Sequence, residues 1–388
     1  MKIFIYILLL LFVSCSIPTK QEGESKIIKR FTTTFKEAQF SKSASFLVHS
    51  DKFNLHLTRG EGNILDNGVK TPTDANQPFH IASIGKVFTA TIILKLFEEG
   101  KLVLSDPISK YLKKESLDKL FLYNGIDYSE KVTITQLLSH TSGINDYFES
   151  DSKESKSLLK EIKNKPDKFW TPEELLDFTR TNQSTIAKPG DKYFYSDTGY
   201  ILLGLIIEKV SGKKFEVVLQ EKILSPLNMK DTYVHLRSEP LSKSKKPIST
   251  MMLSNIDVTN YKSISADWTG GGIISTAEDL LLFQKSLIEG KIITQQNYKA
   301  MRGRYKFMDG IYYGLGLMTV RYGDMLFLMK GSPDLHGHSG LLSTVMFYSP
   351  DIDTHIIANM GSTNDISKVF EMMYWISSAV KNMEKLQK

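Results

Sequence analysis

Strand-type sequence lies near both ends of this chain and encloses a middle, about residues 107 to 260, that reads as helix. That layout constrains the fold more than any other feature. Near the start, residues 43 to 58 (ASFLVHSDKFNLHLTR) alternate like two short strands around a turn at Ser50-Asp51-Lys52. Beyond residue 310, Tyr312–Val320, Met325–Met329, Leu342–Tyr348 and Thr354–Asn359 read as strands, with Ser349-Pro350-Asp351 as the turn between the last two. Between these ends come helix starts. Thr133 with Gln136, Thr171 with Glu174 and Ser275 with Glu278 are capping-box pairs, and Pro172 takes the favoured first helical position. Ile366, Val369, Phe370, Met373, Ile376, Val380 and Met383 then repeat at helical spacing in a closing amphipathic helix. Strands contributed by both termini imply one antiparallel sheet flanked by helices, with a mostly helical lobe inserted: an α+β fold with a cleft between lobes.

The 388 residues suit one large domain or two intimately joined ones. The net charge of +6 comes from scattered lysines, with small clusters such as Lys243, Lys245 and Lys246. Nothing resembles a basic stretch interleaved with aromatics, so nucleic acid is not an expected partner. The single cysteine, Cys15, excludes an intrachain disulfide and a cysteine-based metal cluster.

The N-terminus explains that cysteine. Lys2 precedes an apolar run from Ile3 to Val13, too short for a comfortable transmembrane helix and suited to a signal-peptide core. Ser14-Cys15 at its end is similar to a bacterial lipoprotein processing site. The resemblance implies cleavage before Cys15, lipidation of Cys15 and export to the cell envelope on a membrane anchor. Residues 1–15 are then signal and lipobox, 16–26 (SIPTKQEGESK from Ser16) a flexible tether, and 27–388 the folded domain.

Three short motifs carry chemistry. In Ser83-Ile84-Gly85-Lys86 the apolar periodicity from Ile84 to Phe97 predicts a helix ending at Gly100. Positions i and i+3 share a helix face, so the hydroxyl and the amine can meet. A serine needs an adjacent base to become a nucleophile, and a helix N-terminus favours a developing oxyanion. Tyr195-Ser196-Asp197 follows the loop Lys188-Pro189-Gly190 and precedes an apolar helix, where Asp197 is also a natural N-cap. His338-Ser339-Gly340 reads as a glycine-containing turn into the strand Leu342–Tyr348.

The order and separation of the three motifs resemble the serine β-lactamase-like family. That family comprises class C β-lactamases, D,D-carboxypeptidases, D-aminopeptidases and related esterases, with the pattern S-x-x-K, Y-x-N, K/H-x-G. Three further stretches are similar to it: Leu137–Gly143 (LLSHTSG), Leu224–Met229 (LSPLNM) and Gly270–Leu280 (GGGIISTAEDL). The resemblance covers about residues 40 to 360. It implies that Ser83 is acylated, that Lys86 activates it, and that Tyr195 is the general base that later protonates the leaving group. His338 and Gly340 would line the opposite wall, His338 contacting substrate (a carboxylate among the options), with Asp197 also on the substrate. The backbone N–H groups of Ser83 and Leu341 would form the oxyanion hole, His140 would be structural, and Gly270–Gly272 would make a tight turn beside the cleft.

Asp197 departs from that pattern, which has Asn there. A carboxylate cannot donate to a substrate amide. It also favours a charged Lys86, leaving the base role to Tyr195, and it points to weak action on β-lactams. The function expected is hydrolysis through an acyl-enzyme of a D-amino-acid peptide, a short ester or a β-lactam, with no cofactor and no metal. The rival is a non-catalytic penicillin- or peptide-binding sensor of the same fold. The sequence has no G-x-S-x-G elbow and no H-E-x-x-H zinc motif. It leaves the substrate and the oligomeric state open.

Overall fold

The protein was analysed as a computed structural model, which describes residues 20–66, 68–150, 156–242 and 246–383. Its centre is a nine-stranded antiparallel sheet. In chain order the strands are β1 (Ser43–Ser50), β2 (Leu55–Asp66), β3 (Val69–Pro72), β4 (Tyr305–Met308), β5 (Ile311–Tyr313), β6 (Met318–Val320), β7 (Leu335–Gly340), β8 (Thr344–Ser349) and β9 (Thr354–Asn359). They lie side by side as β4-β5-β6-β7-β8-β9-β1-β2-β3, so β1 joins the C-terminal strands through β9. The sheet built from both termini is the observed fold.

The central strands are buried along nearly their whole length. Strand side chains alternate between faces, so burial at every position means that both faces are covered. Phe46, Val48, Phe347 and Ile356 enter the core under helices α1 (Lys20–Glu37) and α5 (Ile366–Met383). Leu47, Met346 and Ile357 enter the larger core shared with the helical lobe. That lobe includes α2 (Gly85–Glu98), α3 (Asp197–Ser211) and α4 (Ala277–Ile288).

Local chemistry sets the helix boundaries. Both capping boxes, at Thr133/Gln136 and Thr171/Glu174, are closed by reciprocal hydrogen bonds, and Pro172 opens its helix. Gly100, with φ +69°, follows the end of α2.

Five segments differ from the sequence reading. Residues 20–26 of the expected tether are the first turns of α1, because Ile27 and Phe31 bury one face of that helix. Cys15 and the apolar run lie outside the described residues. The third capping box is displaced by one residue: Ser275 ends a short strand, and Thr276 caps α4 by accepting from the Asp279 N–H. Tyr312–Val320 is a hairpin of β5 and β6, and Met325–Met329 is helical turn rather than strand. His338, placed in a turn by its glycines, sits within β7 and pairs with Met346.

Candidate active site

Ser83 lies in the short 3-10 turn Ala82–Ile84 that leads into α2. Ala82 holds φ +47°, a left-handed conformation that non-glycine residues rarely adopt. Its N–H donates to His80 Nδ1 (3.2 Å), and Thr344 Oγ1 on β8 donates to the Ile81 carbonyl (3.0 Å). The serine is therefore pinned between the sheet and the helical lobe. It stays half-buried.

Lys86, one turn on, is completely buried. Its Nζ donates to Ser83 Oγ (3.1 Å), to the Gly270 carbonyl (2.9 Å) and to the Asp197 carboxylate. An ammonium has three protons, and all three are placed. The close contact depends on glycine: a Cβ on Gly271 would lie 2.5 Å from the carbonyl carbon and oxygen of Ala82, and one on Gly85 would lie 2.7 Å from Gly271 Cα. Two bare backbones touching let the Gly270 carbonyl reach the lysine.

Asp197 is the first residue of α3, whereas Ser196 occupies the N-cap position. The Asp197 N–H donates to Asp146 Oδ1 (2.9 Å). Tyr195 is hydrogen-bonded to Ser83, and its ring centroid lies 5.0 Å from Lys86 Nζ. Burial, and then the Asp197 charge, push its phenol well above the usual range. The resting tyrosine is thus a proton donor rather than a phenolate.

Three further acids surround the pair. Asp146 and Asp267 are raised well above the ordinary carboxylate range, first by burial and then by the charge of Asp197. Glu149, at the solvent edge of the cleft, is raised by the same two causes in the same order. Sequence reasoning missed these three. Their only signal was position: Asp146 and Glu149 follow the Leu137–Gly143 stretch, and Asp267 precedes the glycine run.

The sheet wall is different in kind. His338 is completely buried on β7. Its Nδ1 lies 2.5 Å from the Ser339 carbonyl and its Nε2 3.1 Å from the Tyr313 hydroxyl. A carbonyl can only accept, so Nδ1 carries the proton and Nε2 accepts from Tyr313. Burial, then the Lys86 charge, lower its pKa to about 3. A neutral ring with both nitrogens engaged has no charge with which to hold a carboxylate. Gly340 ends the strand where a Cβ would lie 2.8 Å from the Ala82 Cβ and 2.9 Å from the Ile81 carbonyl, so only glycine lets β7 approach the serine turn. Leu341 follows directly, across the cleft from Ser83.

His140, with φ +56°, packs its ring 4.3 Å from Tyr195 and 4.5 Å from Tyr313. Its Nδ1 accepts from the Ser196 N–H (3.1 Å). It orients the Tyr195 loop and does not touch Ser83. Beside the Ser83 turn is a cavity of about 30 Å³, whose lining includes Ala82, Phe148, Leu341 and Leu342 together with His80 and Asp267. Among the described residues, no group of three or more metal-ligating side chains converges.

Comparison with known proteins agrees with this architecture. The putative penicillin-binding protein PbpX of Bacillus subtilis is 28% identical over 306 residues, covering 76% of this chain and 66% of that protein. The chain spans a third to two thirds of the length of the first curated relatives it matches. D-amino acid amidase from Ochrobactrum anthropi, solved with L-phenylalanine amide, superposes with a TM-score of 0.75 at 22% identity, covering 93% of this chain and 99% of that one. A D-stereospecific amidohydrolase from Streptomyces gives 0.71 at 23% identity, covering 91% and 98%. The Beta-lactamase family profile matches residues 53–371, most of the chain, and the protein belongs to that family.

Proposed function

We propose that the protein is a serine hydrolase that works through an acyl-enzyme on Ser83. The observation that carries this reading is the Ser83–Lys86–Asp197 chain of hydrogen bonds, with Tyr195 on the same hydroxyl. Lys86 has no vacant lone pair while it is an ammonium. Asp197 supplies the acceptor that an asparagine would lack. As Ser83 Oγ attacks the carbonyl carbon, its proton passes to Lys86, and Lys86 returns one of its own to Asp197. The N–H groups of Ser83 and Leu341 receive the oxyanion, and such a pair lowers a barrier by a few kcal/mol. Tyr195, protonated at rest, then donates to the leaving nitrogen or oxygen. The proton on Asp197 returns through Lys86 to the Tyr195 phenolate; water then attacks the acyl-enzyme by the same relay, and Ser83 leaves with the proton that Tyr195 donates.

The walls also favour one substrate charge. Asp146, Glu149, Asp197 and Asp267 gather on the helical side around a single cation, and His338 opposite is neutral. This supports an acyl group bearing an amine, as in D-amino-acid amides and peptides, over one bearing a carboxylate, as in penicillins. Esters of such acyl groups fit the same description. We further propose that the chain is exported and lipidated at Cys15, which the apolar run and Ser14-Cys15 support; a Cys15→Ser chain recovered without acyl modification in the envelope fraction tests it.

The experiment is to incubate the full chain with a D-amino-acid amide, an activated short ester and benzylpenicillin in turn. Intact mass and product release are recorded, with Ser83→Ala as control. Ammonia release from the amide and a transient Ser83-dependent acyl mass are expected, with benzylpenicillin the poorest of the three. A chain that holds penicillin or peptide and turns over none of the three is a binding sensor, and the proposal fails.

A further inference from the structure

Outside the cleft, the most exposed apolar side chains of the described residues sit next to each other. Phe327 is 75% and Leu328 72% exposed, in a helical turn between β6 and β7. Scattered exposed leucines are ordinary, but an adjacent aromatic–aliphatic pair standing in solvent costs free energy unless something covers it. Met308, 48% exposed, ends β4 close by: a Cβ on Gly310, in the β4–β5 turn, would lie 2.2 Å from Met325 Cγ. Phe307 continues the strip along β4 to the cleft, with its ring centroid 5.9 Å from that of Tyr195.

The placement of this patch says what covers it. Lys381, in the last turns of α5, donates to the Gly331 carbonyl, just beyond Lys330. A Cβ on Gly23, in the first turns of α1, would lie 2.1 Å from Met383 Cε at the end of α5. The patch and the point where the chain enters α1 therefore share one end of the molecule, within about 20 Å, two helix diameters. The sequence before that point contains Cys15, the lipid attachment proposed above. Charge at this end matches a lipid surface. Asp309 is paired with Lys306 (2.6 Å) and Asp334 with Arg321 (3.4 Å), and Asp324 accepts from the Tyr312 hydroxyl (2.9 Å). Lys330, 4.4 Å from the Phe327 ring centroid, and Lys381 have no carboxylate partner among the described residues. Apolar side chains beside two lysines that no described carboxylate neutralises are the chemistry of an interfacial contact with anionic headgroups.

We propose that the Phe327–Leu328 turn and Met308 seat the folded domain on an anionic bilayer, on the same side as its N-terminal attachment. The contact fixes the domain's orientation and runs an apolar strip from the lipid surface to Tyr195. It rests on the export and anchoring proposed above and not on the catalytic assignment.

The test uses the full chain in vesicles of phosphatidylethanolamine and phosphatidylglycerol with brominated acyl chains. Phe327→Trp is compared with Leu65→Trp, an equally exposed site about 33 Å along β2 from the anchored end. After the wild-type signal is subtracted, the added fluorescence of Phe327→Trp is expected to be strongly quenched and that of Leu65→Trp unchanged. Phe327→Asp with Leu328→Asp should abolish protection of the turn in hydrogen exchange on vesicles and leave turnover of a soluble ester unaltered. If the protein floats with vesicles but neither variant is quenched, the seat is overturned and the anchor stands. If it does not float, both fail. A blue-shifted, unquenched signal from Phe327→Trp, with crosslinking of the turn to another copy, means that a second molecule covers the patch, which also overturns the proposal.

Discussion

The two walls of the cleft solve opposite electrostatic problems. The helical wall buries one ammonium among four acids and saturates it with three hydrogen bonds. The sheet wall buries histidines and keeps them uncharged. A buried ion holds its charge only where partners replace water, and a buried imidazole without such partners sheds its proton. Charge handling, for substrate and for protons, is therefore confined to the side that carries Ser83.

The sharpest way to break this contrast is Lys86→Met. It leaves Asp197 buried without its cation, and removing one partner of a buried pair costs about 3–5 kcal/mol. The variant should unfold at clearly lower denaturant and have no turnover. A stable Lys86→Met protein would show that the acids are not charged around it.

Acid tests the sheet wall. His80 and His338 are lowered to about 3, as is His355, and His336 to about 4, in every case by burial first. Their unfolded value is about 6.5. As pH falls below 6.5 the unfolded chain binds protons that the native protein refuses, so stability is lost progressively towards pH 3. Asp146 and Asp267, raised in the folded state, act in the opposite sense as pH falls from neutrality to about 4. His140 is lowered too and Glu149 raised, and the lowered histidines outnumber the raised acids of the cleft. A net loss on the order of 2 kcal/mol between pH 6.5 and 5 is expected, read as a falling midpoint in urea. A midpoint that holds or rises on acidification would contradict the neutral wall.

Tyr313→Phe probes one bond of that wall. It removes the donor to His338 Nε2 and leaves a buried acceptor unsatisfied, at a cost of about 1–3 kcal/mol. Turnover by the folded enzyme should change little, because Tyr313 does not reach Ser83. A turnover loss as large as that of Tyr195→Phe would place Tyr313 in the proton path.

Asp197→Asn acts on the helical wall again: it removes the acceptor to which Lys86 passes the Ser83 proton, so turnover falls steeply. Its charge is the second cause of the raised Asp146 and Asp267, so removing it lowers both. The limb of the pH–rate profile that they govern moves to lower pH, by about one unit or less. Both acylation rates fall, and that for amine-bearing amides falls further than that for penicillin, because the charge that reads the amine is lost as well. If both rates and the profile are unchanged, Asp197 neither relays the proton nor reads substrate charge.

The motifs were legible because each is local. Ser83 and Lys86 share a helix face by spacing alone, Thr133 and Thr171 cap by rules that span four residues, and α5 shows its period in the sequence. His338 in β7 was not legible, since its flanking glycines read as a turn. Those glycines are there because Met346 O and Ala82 leave no room for a Cβ. The helical turn at Phe327 was misread for the converse reason: its apolar run has the composition of a strand and none of a strand's partners.

The sequence by itself determined the sheet from both termini, the helical middle, the three motifs that supply the candidate site and the family, because hydrophobic period and motif spacing are written along the chain. Tertiary structure alone decided the charge states. Asp146, Glu149 and Asp267 come from separate segments and meet only around Lys86. His336, Tyr348, His355 and His49 line up across adjacent strands only through the register. A titratable group takes its protonation from what surrounds it in space, and distance along the chain does not carry that information.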